Sequence, residues 1–402
     1  MLHEQLPGPR WNHRLVLAIA AELLGCSAGV RGLDPQSPDA GASVFRDASR
    51  EAADSGTPED AGIGGPDAEV PAPDAGLPAP GDLLIVSDEF NVAILDLSDP
   101  SAPLALEDRA GNQDEPLPLY ALAYDPRGYL YEGRLGSIWI FRREGNRFNY
   151  VQSFEPPIAD DAPPPEVLAL AWEEGRLYAA LGSAGIEVFD LSDPAAPALL
   201  TQIQPIRAMN DLVLLPGHRL ATYDHWDSAL YTYDLSDVRH PRIEAVRITD
   251  WVDSASRAMA TLGGVVAINV LYAPPGGASL SGIFFFDAQD PAEPRQLGSS
   301  GDSNIAEGRD ISLYAAGGRT YGYFAGGAQG LVIAEATDAP APRATLPQFA
   351  ADSEIVGDHL YVGTGSDKLR VYSLSEGTPL APLLKTELSL PVSTVRLLAV
   401  KR

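Results

Sequence analysis

Seven copies of one β-rich unit occupy the chain between residues 82 and 402. The clearest copy runs Gly185-Ile186-Glu187-Val188-Phe189-Asp190-Leu191-Ser192-Asp193-Pro194-Ala195-Ala196-Pro197. Val92 to Pro103 and Ile283 to Pro294 repeat it closely, and the apolar runs before Asp234, Glu335, Arg142 and Ser373 repeat it more loosely. The residue after each apolar run falls at 96, 142, 190, 234, 287, 335 and 373, giving spacings of 46, 48, 44, 53, 48 and 38. Periods in this range are those of four-stranded propeller blades. The chain is therefore expected to be all-β, a seven-bladed β-propeller spanning 82–402.

The strands of a blade can be read within one unit. In the third, Val167–Trp172 is an apolar inner strand, Arg176–Leu181 the second, Gly185–Leu191 the third and Ala198–Ile203 the fourth. Gly-containing turns separate them, as hairpins require. Asp99, Asp193, Asp237, Asp290 and Asp338 recur three residues past the residue that follows each apolar run, and Glu376 falls at the same place. An Asp there can accept from a backbone N–H two residues on and fix the turn, and a following Pro ends the strand. Recurrence at a turn makes these acids structural, not catalytic.

The first unit lacks an inner strand, because Leu83–Ser87 reads as a second strand. The last unit has one strand to spare, Ser393–Val400, patterned like the inner strands elsewhere. The spare strand is expected to complete the first blade, pairing roughly 394–400 antiparallel with 82–87 and removing free edges.

The repeat resembles the LVIVD repeat family, on the strength of Leu331-Val332-Ile333, the Asp-x-Ser-Asp-Pro-x-x-Pro turns and Gly308-Arg309-Asp310-Ile311-Ser312-Leu313. The resemblance implies a propeller outside the bacterial cytoplasm and implies little about activity. The second unit departs most, with Arg142-Arg143-Glu144-Gly145 in place of the Asp-Pro turn.

What precedes the repeat has a different character. Arg10, His13 and Arg14 lead into the apolar run Leu15–Ala21, which is too short to span a bilayer. Leu23-Leu24-Gly25-Cys26 resembles a bacterial lipobox and holds the chain's one cysteine. Residues 1–26 are read as a signal peptide ending in a lipidation site at Cys26, although Glu22 departs from the pattern. Residues 27–81, rich in Ala, Pro, Asp and Gly, are read as a disordered tether, since such a composition buries too little apolar surface to offset its ordering entropy. The expected location is the bacterial cell envelope, lipid-anchored, or outside the cell. A net charge of −27 disfavours nucleic acid as a partner.

Propeller ligands gather at the mouth of the central channel. The polar residues opening the inner strands are Asn210, Asp211, Arg257, Arg309, Asp310, Ser353, Glu354 and Arg396. Of these, Asp211, Arg257, Arg309, Asp310, Glu354 and Arg396 are the candidate binding residues, with arginine as the donor to a carboxylate. The bland alternative is a ring of salt bridges around a wet channel. No His pair has metal-ligand spacing, Asp302-x-Asn304 starts a calcium-loop pattern that Ala306 and Glu307 break, and there is no Gly-x-Ser-x-Gly elbow. The expectation is a monomeric, non-enzymatic module that binds a protein or a glycan, with no cofactor, metal or catalytic residue. The alternative is a hydrolase or lyase working at the channel mouth.

Overall fold

The computed structural model describes residues 82–402, except 89–90, 107–118, 146, 158–163, 204–208, 225, 249–251, 274–279, 300–309, 338–342, 395 and 401–402. Twenty-eight strands form seven four-stranded antiparallel sheets, the seven blades of a propeller. Blade 1 takes β1 (Leu83–Ser87), β2 (Val92–Asp96) and β3 (Leu104–Ala105). Blades 2 to 7 follow in order along the chain. Their inner strands are β4 (Leu119–Asp125), β8 (Ala169–Glu173), β12 (Met209–Leu215), β16 (Val252–Leu262), β20 (Asp310–Ala316) and β24 (Asp352–Val356). The third blade matches the sequence reading almost to the residue, with strands at Ala169–Glu173, Arg176–Ala180, Ile186–Asp190 and Ala198–Ile203.

The ring closes as the sequence implies. The last strand, β28 (Arg396–Val400), pairs antiparallel with β1, from Leu83 opposite Val400 to Ser87 opposite Arg396. Blade 1 is thus built from both ends of the repeat region.

The apolar side chains form not one core but seven slabs, one at each seam between neighbouring blades. This explains why strands such as Leu83-Leu84-Ile85-Val86 are apolar on consecutive positions. Side chains alternate across a strand. Leu83 and Ile85 enter the slab with blade 2, while Leu84 and Val86 enter the slab with blade 7. Each fully buried residue of this kind adds about 1.5–3 kcal/mol.

The Asp turns behave as their chemistry suggests. Asp99, Asp193, Asp237 and Asp290 each accept from the N–H two residues on, at 3.0, 3.0, 3.2 and 3.1 Å. The strand-ending acids do likewise one step earlier: Asp96, Asp190, Asp234 and Asp287 accept from Ser98, Ser192, Ser236 and Gln289. Asp338 lies outside the described residues. Glu376 does not share the role; it pairs with Lys385 at 2.8 Å. Its longer side chain reaches across the hairpin from β26 (Lys368–Thr378) to β27 (Ala381–Ser389).

The carbonyls of these turns serve a second purpose. Tyr131, Tyr323 and Tyr361, each on the second strand of its blade, donate to the carbonyls of Pro194, Pro379 and Pro100 in the following blade, at 3.0, 2.7 and 2.9 Å. In blade 4 the equivalent position is Ala221, and its cross-strand neighbour Thr232 donates to the carbonyl of Pro291 instead. Tyr178 of blade 3 packs beside Val238, which follows Asp237 where Pro follows Asp99, Asp193 and Asp290, and its hydroxyl donates to no turn carbonyl.

In blade 5, β17 (Val265–Ala273) and β18 (Leu280–Asp287) pair out to Tyr272 opposite Leu280. In blade 2, β6 (Ile138–Glu144) and β7 (Arg147–Phe154) run on into a tight hairpin closed by Glu144 opposite Arg147. The missing Asp-Pro turn is replaced by continued pairing.

Candidate functional site at the channel mouth

Inner strands of neighbouring blades do not share a backbone ladder. Their first residues therefore meet at the mouth through side chains. Asp211 sits where the β12 register shifts between Met209 and Leu212, a bulge that turns the carboxylate toward blade 5. Its Oδ2 accepts the N–H of Met259 on β16 at 2.6 Å, and its Oδ1 accepts the N–H of Leu212 at 2.8 Å. Asp310, first residue of β20, accepts from the Ser353 N–H of β24 at 3.3 Å. Asp352, first residue of β24, accepts from the Leu397 N–H of β28 at 3.2 Å. The same brace thus recurs at three seams: a carboxylate opening one inner strand takes a backbone N–H of the next.

Asp310 and Asp352 also hydrogen-bond to each other. Burial is the main reason both carboxyls are pushed up, Asp352 well above the carboxylate range, and the Arg396 guanidinium offsets this only in part. Two carboxyls in contact cannot both ionise at low cost, and the Asp310 charge adds to burial in pushing Asp352 up. Asp211 is pushed up to about 7, chiefly by burial and further by Asp310, against the pull of its two N–H donors and Arg396. Chemically the mouth offers three buried carboxyls pushed up by burial, Asp211 among them at about 7, and one guanidinium.

The candidates named from sequence fare unequally. Asp211, Asp310 and Arg396 come within electrostatic reach of one another. Glu354 lies beside Asp352 in the strand, and its carboxylate accepts from its own neighbour, the Ile355 N–H, at 3.0 Å. Arg309, and the side chain of Arg257, lie outside the described residues. Asp352 was missed, although it precedes Ser353 just as Asp310 precedes Ile311 and Asp211 precedes Leu212. Aligning the inner strands on that step would have found it. The expected alternative, a salt-bridge ring, is modified: the carboxylates are held first by backbone N–H groups.

Elsewhere the titratable groups serve the frame. His359 bridges the closing seam, 2.8 Å from Ser101 Oγ of blade 1 and 2.8 Å from Asp358. His218 lies 3.6 Å from Glu174 and 3.9 Å from Glu173 across the seam of blades 3 and 4. His240 pairs with Asp237 in an exposed turn. His225 and the Asp302–Asn304 stretch lie outside the described residues. Among the described residues no three His, Cys, Asp or Glu side chains converge as metal ligands, and no helix is long and apolar enough to cross a membrane.

No family model matches the chain, and no curated protein matches it. Solved structures do. A protein from Lactobacillus plantarum matches with a TM-score of 0.58 at 15% identity, over 80% of this chain and 99% of that one. A putative 6-phosphogluconolactonase from Bacteroides uniformis matches with a TM-score of 0.61 at 15% identity, over 79% and 99%. The periplasmic gluconolactonase of Pseudomonas aeruginosa matches with a TM-score of 0.56 at 14% identity, over 79% and 99%. At such identities the likeness establishes one thing, the propeller fold.

Proposed function

We propose that this protein is a lipid-anchored, extracytoplasmic β-propeller that acts as a binding module for a protein or a glycan of the bacterial envelope. The observation that carries the reading is the use to which the mouth carboxylates are put. Asp211, Asp310 and Asp352 each accept a backbone N–H from the next inner strand. They brace the ring, and the face around them is left to present its surface. The lipobox-like Leu23–Cys26 and the Pro-rich stretch after it supply the anchor and the reach. The purified full chain, applied to envelope glycans and to envelope proteins, should retain a ligand without changing it.

A second reading has its own support. Buried carboxyls pushed up at Asp310 and Asp352, beside Asp211, are the kind of acid a hydrolase or lyase uses. One structural neighbour is named a periplasmic gluconolactonase and another a putative 6-phosphogluconolactonase. A panel of lactones and esters decides between the readings. Turnover that disappears in Asp310→Asn would replace the binding module with an enzyme.

A further inference from the structure

The seam that closes the ring carries a polar series beside its tyrosine latch. Ser101 Oγ lies 2.8 Å from His359 Nε2, and His359 Nδ1 lies 2.8 Å from Asp358 Oδ1. The other oxygen of that carboxylate, Oδ2, accepts from Ser375 Oγ. Ser101 comes from blade 1, and His359, Asp358 and Ser375 come from blade 7. His359 opens β25 (His359–Gly363) and pairs with Val356, the last residue of β24, so the series sits at the end of the strands away from the mouth.

The repeat does not require this arrangement. The corresponding positions lie two residues before the second-strand latch position and one past the turn proline. At the seam of blades 2 and 3 they hold Tyr129 and Ala195, and at the seam of blades 4 and 5 they hold Arg219 and Ala292. Neither alanine has a nucleophile to offer.

Charge sets the direction of the series. The Ser375 hydroxyl, with help from His359, holds the Asp358 carboxyl below the ordinary carboxylate range. An anion beside Nδ1 favours the tautomer with the proton on that nitrogen and leaves Nε2 to accept the Ser101 hydroxyl. The Nδ1 contact is a close ion-pair contact without hydrogen-bond alignment, and contacts of this kind tighten when substrate binds. The imidazole is 12% exposed and Ser101 is half-buried, so the base is shielded while the hydroxyl is within reach.

We propose that Ser101 is an acyl-accepting nucleophile, with His359 as its general base and Asp358 as the positioning residue, giving the protein a slow esterase activity on the face opposite the mouth. Ser101 Oγ attacks the ester carbonyl carbon. Its proton passes to His359 Nε2 and from there to the departing alcohol oxygen as the C–O bond breaks. Water, deprotonated by the same nitrogen, then cleaves the acyl-serine bond, releases the carboxylic acid and restores Ser101. Asp82, Asp99 and Asp358 all lie within electrostatic reach of the Tyr361 hydroxyl beside the site, so a neutral or cationic ester is favoured over an anionic one. The Ser101 N–H is committed to Asp99 at 3.0 Å and does not serve a developing oxyanion. A missing oxyanion donor costs about 10²–10³ in rate, so the site suits esters with good leaving groups.

Diisopropyl fluorophosphate and 4-nitrophenyl acetate, applied to the purified full chain, test this. The first forms an Oγ–P bond as its P–F bond breaks, with fluoride leaving and the serine proton passing through His359 to water. Peptide mass spectrometry should place the adduct on Ser101. Ser101→Ala should remove it and lower nitrophenolate release about 100-fold or more. His359→Gln still reaches the Ser101 hydroxyl but cannot act as a base; it should lower both readouts likewise while the melting temperature stays near that of the wild type. Asp358→Asn should slow labelling at least about ten-fold, and Asp358→Glu should restore part of the rate. Ser98→Ala, in the same turn, should change neither readout. The position of the adduct in the wild-type chain needs no variant and stands even if a substitution unfolds the ring. A wild-type chain that takes no label on Ser101 overturns the proposal. So does labelling that proceeds at full rate in His359→Gln, or nitrophenolate release that Ser101→Ala leaves intact.

Discussion

Glu187 lies in the middle of β10 (Ile186–Asp190), fully buried, with no hydrogen-bond partner for either carboxylate oxygen. Ile186 and Val188 beside it enter the slab between blades 3 and 4, so alternation points Glu187 the other way, toward blade 2 with Phe189. Burial pushes its carboxyl from an ordinary 4.5 up to about 7. Between those values the folded protein holds a proton that the unfolded chain has released. The fold is therefore favoured at low pH, and that advantage is lost as pH rises through about 7. Moving that carboxyl from 4.5 to about 7 corresponds to about 3 kcal/mol by pH 8. Glu187→Gln keeps the shape and cannot ionise. Urea unfolding midpoints of both proteins at pH 5 and pH 8 should show little difference at the lower pH. At the higher pH the variant should lead by up to about 3 kcal/mol. Comparing the two proteins at each pH removes the contributions of Asp211, Asp310 and Asp352, which titrate in both. A stability gap that stays constant with pH would refute the reasoning, because it would mean that Glu187 is solvated or partnered.

The other predictions concern the ring and its anchor. Deleting residues 394–402 strips β1 of its inner partner and removes Leu397 from the closing slab; the melting temperature should collapse, and an unchanged melt would sink the closure scheme. Tyr323→Phe and Tyr361→Phe should each cost about 1 kcal/mol in urea unfolding by leaving the carbonyls of Pro379 and Pro100 without their donor. Tyr178→Phe should cost less, since no turn carbonyl receives that hydroxyl, and equal losses at all three positions would refute the latch. Cys26→Ser should abolish incorporation of labelled fatty acid and release the chain from membranes in a bacterial host; retained label would exclude Cys26 as the anchor.

Much of this architecture is legible in sequence because it is local. The Asp turns need an acid and an N–H two residues apart, and hairpins need a Gly turn between β-rich runs, so both survive as patterns. The closing strand was legible by subtraction, since Ser393–Val400 had no place in the last blade. What the sequence concealed is what joins the blades. Tyr361 reaches Pro100 across 261 residues of chain, and nothing near either residue announces the bond. Asp352 was overlooked for a related reason: its role is defined by Leu397 in another blade, while Ser353 and Glu354 beside it looked equally polar.

The pairing of Leu83 with Val400 also sets an order of events. β1 is the first strand of the propeller to be synthesised, and its inner partner is the last. Every other blade can zip as it emerges, whereas blade 1 must wait for some three hundred residues more. During that wait the row Leu83–Ser87 offers an open, apolar edge. A ring so built cannot close on itself until β28 has been made, however much of the rest has already folded.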